Sequence, residues 1–173
     1  KVPRFKVYET DSLEMPIQQT NISQFYGATG KSLAKDKNAT DELKNKKYDY
    51  VVGNPPYLSI KAMDQRSKKT YEATYSTAKG QYDLYTLFIE LGTGLLNEKG
   101  KFGFIVPDAF LGRSNAQPIR ELIMSRGLSA ALQIYGVFDD PSVANVIITT
   151  EQKSSEIRLA KISFEQISQE KDW

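Results

Sequence analysis

Apolar and polar positions along the chain alternate in blocks that predict strands and helices. Residues 4–9 form a short β-branched and aromatic run typical of a strand, and polar residues 14–46 follow as a loop or insertion. Tyr48–Gly53 has the pattern of a largely buried strand, which ends at two prolines because proline lacks the N–H that a strand ladder requires. Residues 59–81 are polar and predict an exposed loop with some helix, whereas residues 82–96 carry leucines at helical spacing and predict the clearest helix.

The second half of the chain continues with strands and one more helix. Residues 101–106 predict a strand closed by a proline, and residues 118–125 predict a helix with proline in its first turn. Two more strands are predicted at residues 132–137 and at Asn145–Thr150, and residues 157–164 are a candidate for another. The order of elements predicts an α/β fold with a mostly parallel sheet and an antiparallel C-terminal hairpin.

Composition and charge exclude several classes of function. The chain has 173 residues, 40% of them hydrophobic and 25% charged, which is typical of one globular domain. It has no cysteine and no histidine, so disulfides, zinc sites and imidazole catalysis are excluded. No apolar run approaches the roughly 18 residues of a membrane span and no signal peptide is recognisable, so a cytoplasmic protein is expected. A net charge of +2 does not decide whether nucleic acid is a partner.

The tetrapeptide Asn-Pro-Pro-Tyr at residues 54–57 follows the strand predicted at Tyr48–Gly53. Ligands of open α/β sheets bind beyond the carboxyl ends of the strands, where this turn is expected. Successive prolines stiffen the turn and remove two backbone donors, which leaves the Asn54 side-chain oxygen and the Pro55 carbonyl as acceptors. Two fixed acceptors suit a planar amine with two N–H bonds, such as the exocyclic amine of adenine. Tyr57 offers a ring on which an extruded base could stack.

These residues resemble the catalytic motif of the S-adenosylmethionine-dependent adenine-N6 DNA methyltransferases. The resemblance continues through further blocks in the same order and spacing, at residues 81–90, 95–107, 137–138 and 146–148. It covers most of residues 4–150 and is greatest with the methylase part of type IIG restriction-modification enzymes. The implied fold is a Rossmann-like methyltransferase sheet, and the implied reaction is methyl transfer from S-adenosylmethionine to N6 of a flipped adenine in double-stranded DNA.

The resemblance also implies roles for individual residues. Asn54 and Pro55 would bind the target amine, Tyr57 would stack on the flipped adenine, and Phe138 would pack against the other side of the base. The residues implied in cofactor binding are Asp11, Ser12, Pro56 and Phe88. The basic residues that would suit DNA phosphate contacts, or else belong to an ordinary solvated loop, are Lys61, Arg66, Lys68 and Lys69.

The resemblance further implies that the chain is a fragment of one methyltransferase catalytic domain. The glycine-rich cofactor loop and the strands that carry it would precede Lys1, and residues 151–173 would contain a strand and the start of a following region. The fragment alone is therefore expected to be inactive and to need the rest of its parent chain. Without those N-terminal strands, Tyr48–Gly53 is expected to form an unpaired sheet edge, to which another chain could add.

Several other interpretations remain open at this stage. A protein glutamine-N5 methyltransferase shares the Asn-Pro-Pro-Tyr motif and an amide-like target, and a non-catalytic nucleic-acid contact module is a third hypothesis. Phe88 and Phe138 could be core residues, and Asp11 could cap a loop. The pair Pro107-Asp108 together with residues 151–153 (Glu-Gln-Lys) resembles a metal-dependent nuclease pattern, but the same strands are accounted for by the methylase sheet.

Overall fold

The computed structural model of the protein describes residues 12–14, 43, 45–138, 144–151, 156–163 and 165. Its packing divides the chain into two units, Lys1–Lys46 and Lys47–Trp173. In the first unit, one 3-10 turn at Ser12–Glu14 is described, and Leu13 within it is buried. The strand predicted at residues 4–9 lies outside the described residues.

The second unit contains one five-stranded sheet with the strand order β1-β2-β4-β3-β5. β1 pairs with β2 and β3 pairs with β5 in parallel, whereas β4 is antiparallel to both of its neighbours. Four strands therefore run in one direction, and β3 and β4 form the antiparallel hairpin that the sequence predicts. The strands are β1 (Tyr48–Gly53), β2 (Leu96–Pro107), β3 (Leu128–Tyr135), β4 (Asn145–Thr150) and β5 (Arg158–Ser163).

Four α-helices are described between the strands, and the two predicted ones are confirmed. They are α1 (Gln65–Thr74), α2 (Leu84–Gly94), α3 (Ala109–Gly112) and α4 (Gln117–Ser125). α2 begins later than predicted because Asp83 has an extended backbone and forms an isolated bridge with Ser59. α4 carries a proline in its first turn, where the missing N–H costs no hydrogen bond. None of the described helices is long and apolar enough to cross a membrane.

The hydrophobic core lies where α2 and α4 cover one face of the sheet. Phe102, Phe104 and Val106 alternate along β2 and are all buried against this layer. Gly92 allows a close approach of α2 to the sheet, since a Cβ at this position would lie 2.9 Å from Phe102 Cε2. The other buried members of the core are Tyr85, Ile89, Phe110, Ala116, Ile119, Ile123, Ala131, Val146 and Ile148.

β1 lies at one end of the sheet, as the sequence predicts for Tyr48–Gly53. Among the described strands, only β2 pairs with it. Its outer side leaves backbone hydrogen-bonding groups without a described partner strand, and Tyr50 (71% exposed) and Val52 (77% exposed) present large apolar side chains on one face of this strand. An edge of this kind is a template for pairing with a further strand.

Residues 58–83, here called the excursion, begin directly after Tyr57 and end directly before α2. Leu84 N donates to Leu58 O at 2.8 Å, and Ile60 N donates to Tyr82 O at 3.1 Å, so the two ends of the excursion are joined. Between them lies α1, which is longer than the partial helix predicted for this stretch. Its N-cap is Asp64, whose side chain accepts hydrogen bonds from two backbone N–H groups of the first turn.

The C-terminal part of the excursion is fastened to α2 by one carboxylate. Glu90 accepts four hydrogen bonds of 2.6–2.9 Å, from the backbone N–H and the hydroxyl of both Ser76 and Thr77. Tyr71 and Tyr75 are buried, with an edge-on ring contact, and are not part of an exposed tyrosine-bearing loop. The excursion is thus fixed at its base and at a second point on α2.

Candidate active site

Four segments meet at the edge of the sheet formed by the carboxyl ends of β1, β2 and β3, which is not the exposed side of β1 described above. Residues 54–57, here called the Asn54 turn, follow β1. Phe138 lies three residues after the end of β3. Because β4 is antiparallel to its neighbours, it begins at this same edge with Asn145, which is opposite both Pro107 and Ile134. The strand directions therefore bring together residues that lie far apart in the sequence.

The Asn54 turn presents its polar groups at this edge. Asn54 is exposed, whereas Pro55 is buried, so the turn is held from one side. Within the described part of the chain, neither the Asn54 side chain nor the Pro55 carbonyl makes a hydrogen bond. Neither of the oxygens that the sequence identifies as acceptors is therefore occupied by a partner among the described residues, and the exposed Asn54 side chain is accessible to a ligand.

The hydroxyl of Tyr57 is tied to the sheet. It donates to Asn145 Oδ1 at 2.9 Å and also lies 3.3 Å from the carbonyl oxygen of Ile105. Desolvation raises the pKa of Tyr57 to about 12, so the phenol is neutral at physiological pH. A neutral phenol cannot act as a general base, and its ring is left as the part that can contact a substrate.

Tyr57 and Phe138 are neighbours, as their predicted roles require. Their ring centroids are 6.3 Å apart and their planes meet at 84°. A planar base held face-to-face between two rings would need them parallel and roughly 7 Å apart, since each stacking contact takes about 3.5 Å. The two rings instead form a corner. Phe138 is 41% exposed, so part of its ring faces solvent.

The other residues implied in cofactor and DNA binding are distributed over the chain. Pro56 is exposed in the turn itself, and Phe88 of α2 is half-buried and packs against the core. Ser12 belongs to the first unit, and Asp11 lies outside the described residues. Of the four basic residues implied in DNA contacts, Lys68 is half-buried and the other three, Lys61, Arg66 and Lys69, are exposed.

Sequence reasoning missed the polar partners behind the site. Asn145 is fully buried and is the hydrogen-bond acceptor of Tyr57. Asp108, which follows β2, accepts a hydrogen bond of 3.1 Å from Gln133 of β3. The available signal was a polar residue at the first position of the apolar strand Asn145–Thr150, but only the antiparallel direction of β4 shows that it lies at the site.

The nuclease interpretation does not agree with the fold. Asp108 follows β2 at the edge that carries the site, whereas Glu151 follows the antiparallel β4 at the opposite edge and forms a 3.0 Å ion pair with Lys101. The two carboxylates are separated by about seven residues of strand, or roughly 23 Å. Among the described residues, no three acidic side chains are grouped closely enough to hold a metal ion.

Comparison with known proteins places the chain in a family. Residues 5–138 match the sequence model of the Eco57I restriction-modification methylase. The chain is 28% identical over 138 residues to the type II restriction enzyme and methyltransferase RM.Eco57I of Escherichia coli, covering 76% of this chain and 13% of that protein. It is 31% identical over 108 residues to the type II methyltransferase M.TthHB8I of Thermus thermophilus, covering 58% of this chain and 25% of that protein.

Solved structures agree on the fold. A nuclease-deletion mutant of the Type ISP restriction-modification enzyme LlaGI, in complex with a DNA substrate mimic, has a TM-score of 0.62 at 15% identity, over 91% of this chain and 15% of that one. A Listeria monocytogenes protein described as a class I S-adenosylmethionine-dependent methyltransferase has a TM-score of 0.53 at 22% identity, over 68% of this chain and 37% of that one. The chain therefore belongs to the Eco57I restriction-modification methylase family, and its fold is similar to that of class I S-adenosylmethionine-dependent methyltransferases.

Proposed function

We propose that this chain is the target-base half of a DNA methyltransferase that methylates the exocyclic N6 of a flipped adenine, within a restriction-modification protein of the type IIG kind. The observation that carries this proposal is the rigid Asn54 turn. Its two acceptor oxygens make no hydrogen bond within the described part of the chain, and the ring of Tyr57 lies beside them. A purine with a pendant amine offers the two matching donors and a face for stacking.

The residues of the turn act by position rather than as acids or bases. Two acceptors that hold both amine hydrogens favour a more tetrahedral nitrogen with an available lone pair. Methylation replaces one N–H hydrogen by a methyl group, and the displaced proton passes to water, since Asn54, the two prolines and the neutral Tyr57 are not bases. The rate enhancement then comes from holding the amine in the reactive orientation.

The described residues implied in cofactor binding fit S-adenosylmethionine, which when bound supplies the electrophilic methyl group. Pro56 is exposed directly beside Asn54, and Phe88 offers a half-buried aromatic ring in the first turns of α2. The roles of Asp11 and Ser12 in cofactor binding stay predictions of the resemblance. The chain's own part is to fix Pro56 next to the amine acceptors, which it does through the proline pair.

The perpendicular rings define how a flipped base is held in this conformation. A base that stacks on Tyr57 is itself perpendicular to Phe138, so the two would meet edge-to-face. Edge-to-face contacts between aromatic rings are favourable, because the positive edge of one ring meets the negative face of the other. We propose that Phe138 closes one side of the base pocket in this way.

The excursion is the proposed DNA phosphate contact. In the full-length protein, Lys61, Arg66 and Lys69 are replaced together by alanine. A plot of the logarithm of the DNA association constant against the logarithm of salt concentration should then be less steep, by about 0.9 for each phosphate that is no longer neutralised. Lys99→Ala, which removes an exposed charge near the start of β2 at the opposite end of the sheet, is the matched control. An unchanged slope in the triple variant would show that these residues form a solvated loop.

The rest of the parent protein is part of this proposal. The chain spans 13% and 25% of the two curated relatives named above. We propose that residues 1–173 are a fragment of one catalytic domain, inactive alone, and that a strand from the remaining parent chain or from a second copy completes the β1 edge.

A monomer in sedimentation equilibrium for both the wild-type chain and a Val52→Lys variant would exclude self-association through this edge. A DNA substrate also implies a cytoplasmic location.

The substrate class is tested with the full-length protein. Incubated with tritiated methyl donor, adenine-containing duplex DNA and a glutamine-bearing protein substrate, it should label N6 of adenine in DNA. Label found only in protein would select a glutamine-N5 methyltransferase instead, because a side-chain amide also offers two N–H donors. The absence of transfer to either substrate, with DNA binding retained, would indicate a non-catalytic contact module.

A further inference from the structure

The hydroxyl of Tyr57 is held by two different strands. Its stronger partner is the side chain of Asn145 on β4, at 2.9 Å, and its weaker one is the carbonyl of Ile105 on β2, at 3.3 Å. β2 and β4 are neighbours in antiparallel register, with Ile105 opposite Ile147 and Pro107 opposite Asn145. The hydroxyl is therefore fastened to two adjacent strands of the sheet at its active edge.

Asn145 is a rigid anchor for this hydroxyl. It is 0% exposed and is paired on one side with β2 and on the other with β3, so its backbone is fixed by hydrogen-bonded neighbours. Tyr57 itself is 37% exposed. The two ends of the tyrosine side chain thus differ, because the hydroxyl end is held in the sheet while part of the side chain is open to solvent.

We propose that Asn145 is a positioning residue for base stacking, which orients the ring of Tyr57 before the flipped base arrives. The inference depends on the proposed function, since it assumes that Tyr57 stacks on a base. A side chain that is already immobilised loses no rotamer freedom when its ligand binds, so the anchor favours the extruded state of the base. Loss of the anchor should weaken stacking and slow the reaction by roughly two- to tenfold.

The test is a double-mutant cycle in the full-length protein. Tyr57→Phe removes the hydroxyl but keeps the ring, and Asn145→Leu removes the acceptor while keeping the number and branching of the side-chain heavy atoms. Each should lower the single-turnover methylation rate, and each should lower the fluorescence of 2-aminopurine placed at the target position, which reports base extrusion. The double variant should be no slower than the slower single variant, because both substitutions break the same hydrogen bond.

If the rate losses of the two single variants multiply in the double variant, the proposal is wrong, because Asn145 would then act without Tyr57. An undiminished rate and fluorescence in Tyr57→Phe would overturn it as well. If Asn145→Leu does not fold, Asn145→Asp takes its place, since it keeps an acceptor oxygen and should retain the 2-aminopurine fluorescence. A loss of fluorescence in Asn145→Asp as large as that in Tyr57→Phe would contradict the proposal. Thr149→Val, which alters another polar side chain of β4 toward the opposite end of the sheet, should leave the signal unchanged.

This result is separable from that of the proposed function. If no variant and no wild-type protein methylates DNA, the proposed function has failed and the cycle has no rate to measure. If wild-type methylates adenine while the two substitutions act independently, only the role of Asn145 is rejected. In a variant that still folds, a general loss of stability caused by a substitution at Asn145 would not change the 2-aminopurine fluorescence. This signal therefore separates a positioning role from a merely structural one.

Discussion

Replacing Asn54 by alanine is expected to reduce the methylation rate of the full-length protein by about 100- to 1000-fold, the typical cost of removing one preorganised hydrogen-bond partner of a reacting group. The substitution deletes one of the two acceptors that are proposed to orient the target amine. Asn54 is exposed and makes no hydrogen bond within the described residues, so the fold and the affinity for DNA should not change. Single-turnover rates with saturating DNA and methyl donor measure the effect directly.

The control for this experiment is the same substitution at the opposite end of the sheet. Asn97 lies near the start of β2 and hydrogen-bonds to Asp49, far from the site. Asn97→Ala should therefore methylate DNA at the wild-type rate. A full rate in Asn54→Ala, with circular dichroism unchanged, would remove the basis of the proposed function.

Replacing Gly92 by alanine is expected to destabilise the chain by about 1–3 kcal/mol relative to Gly94→Ala, the usual range for overpacking a core. A Cβ at position 92 would lie 2.9 Å from Phe102 Cε2 and 3.3 Å from Phe104 Cζ, so either these buried rings or α2 must shift. At Gly94, also in α2, nothing lies within 4 Å of the added Cβ. Alanine there should be neutral or stabilise by up to about 1 kcal/mol through helix propensity.

The comparison isolates packing because both substitutions add the same methyl group to the same helix. Urea-induced unfolding of the chain, followed by far-ultraviolet circular dichroism, gives the free energy of unfolding of each variant. Equal stabilities for the two variants would contradict the close contact between α2 and the sheet. A change in the slope of the transition would instead point to an altered unfolded state.

Most of the sheet could be predicted from local pattern, but its strand boundaries could not. β3 was predicted over residues 132–137 and is observed at Leu128–Tyr135, since Gly127, with a φ of +84°, ends α4 and the strand follows at once. β2 extends back to Leu96 because that residue pairs with Tyr48 across an irregularity in the register. Such pairings are set by neighbouring strands, and a single run of residues does not contain them.

The sequence pattern of α1 predicts too little helix for a different reason. Only Tyr71 of its ten residues is buried, so its sequence shows little of the apolar periodicity on which helix prediction depends. The available signal was Asp64, an N-cap residue whose side chain accepts from Arg66 N at 2.9 Å and Ser67 N at 3.0 Å. Capping, rather than a hydrophobic stripe, defines where this helix starts.

The candidate site was predictable only where its residues are contiguous. Asn54, Pro55 and Tyr57 form one stiff turn, and the sequence alone indicates their chemistry. The resemblance supplied Phe138, and the structure confirms that it is a neighbour of Tyr57 but gives the angle between the two rings, which no sequence pattern contains. Asn145 emerged only from the direction of β4, because it is 88 residues away from its partner along the chain.

The joined ends of the excursion have a consequence for altering its charge. Because Leu58 and Leu84 are hydrogen-bonded to each other, substitutions on the exposed surface of α1 should leave the Asn54 turn in place. Under the proposed function, the DNA contacts of the excursion can therefore be changed while the chemistry is preserved.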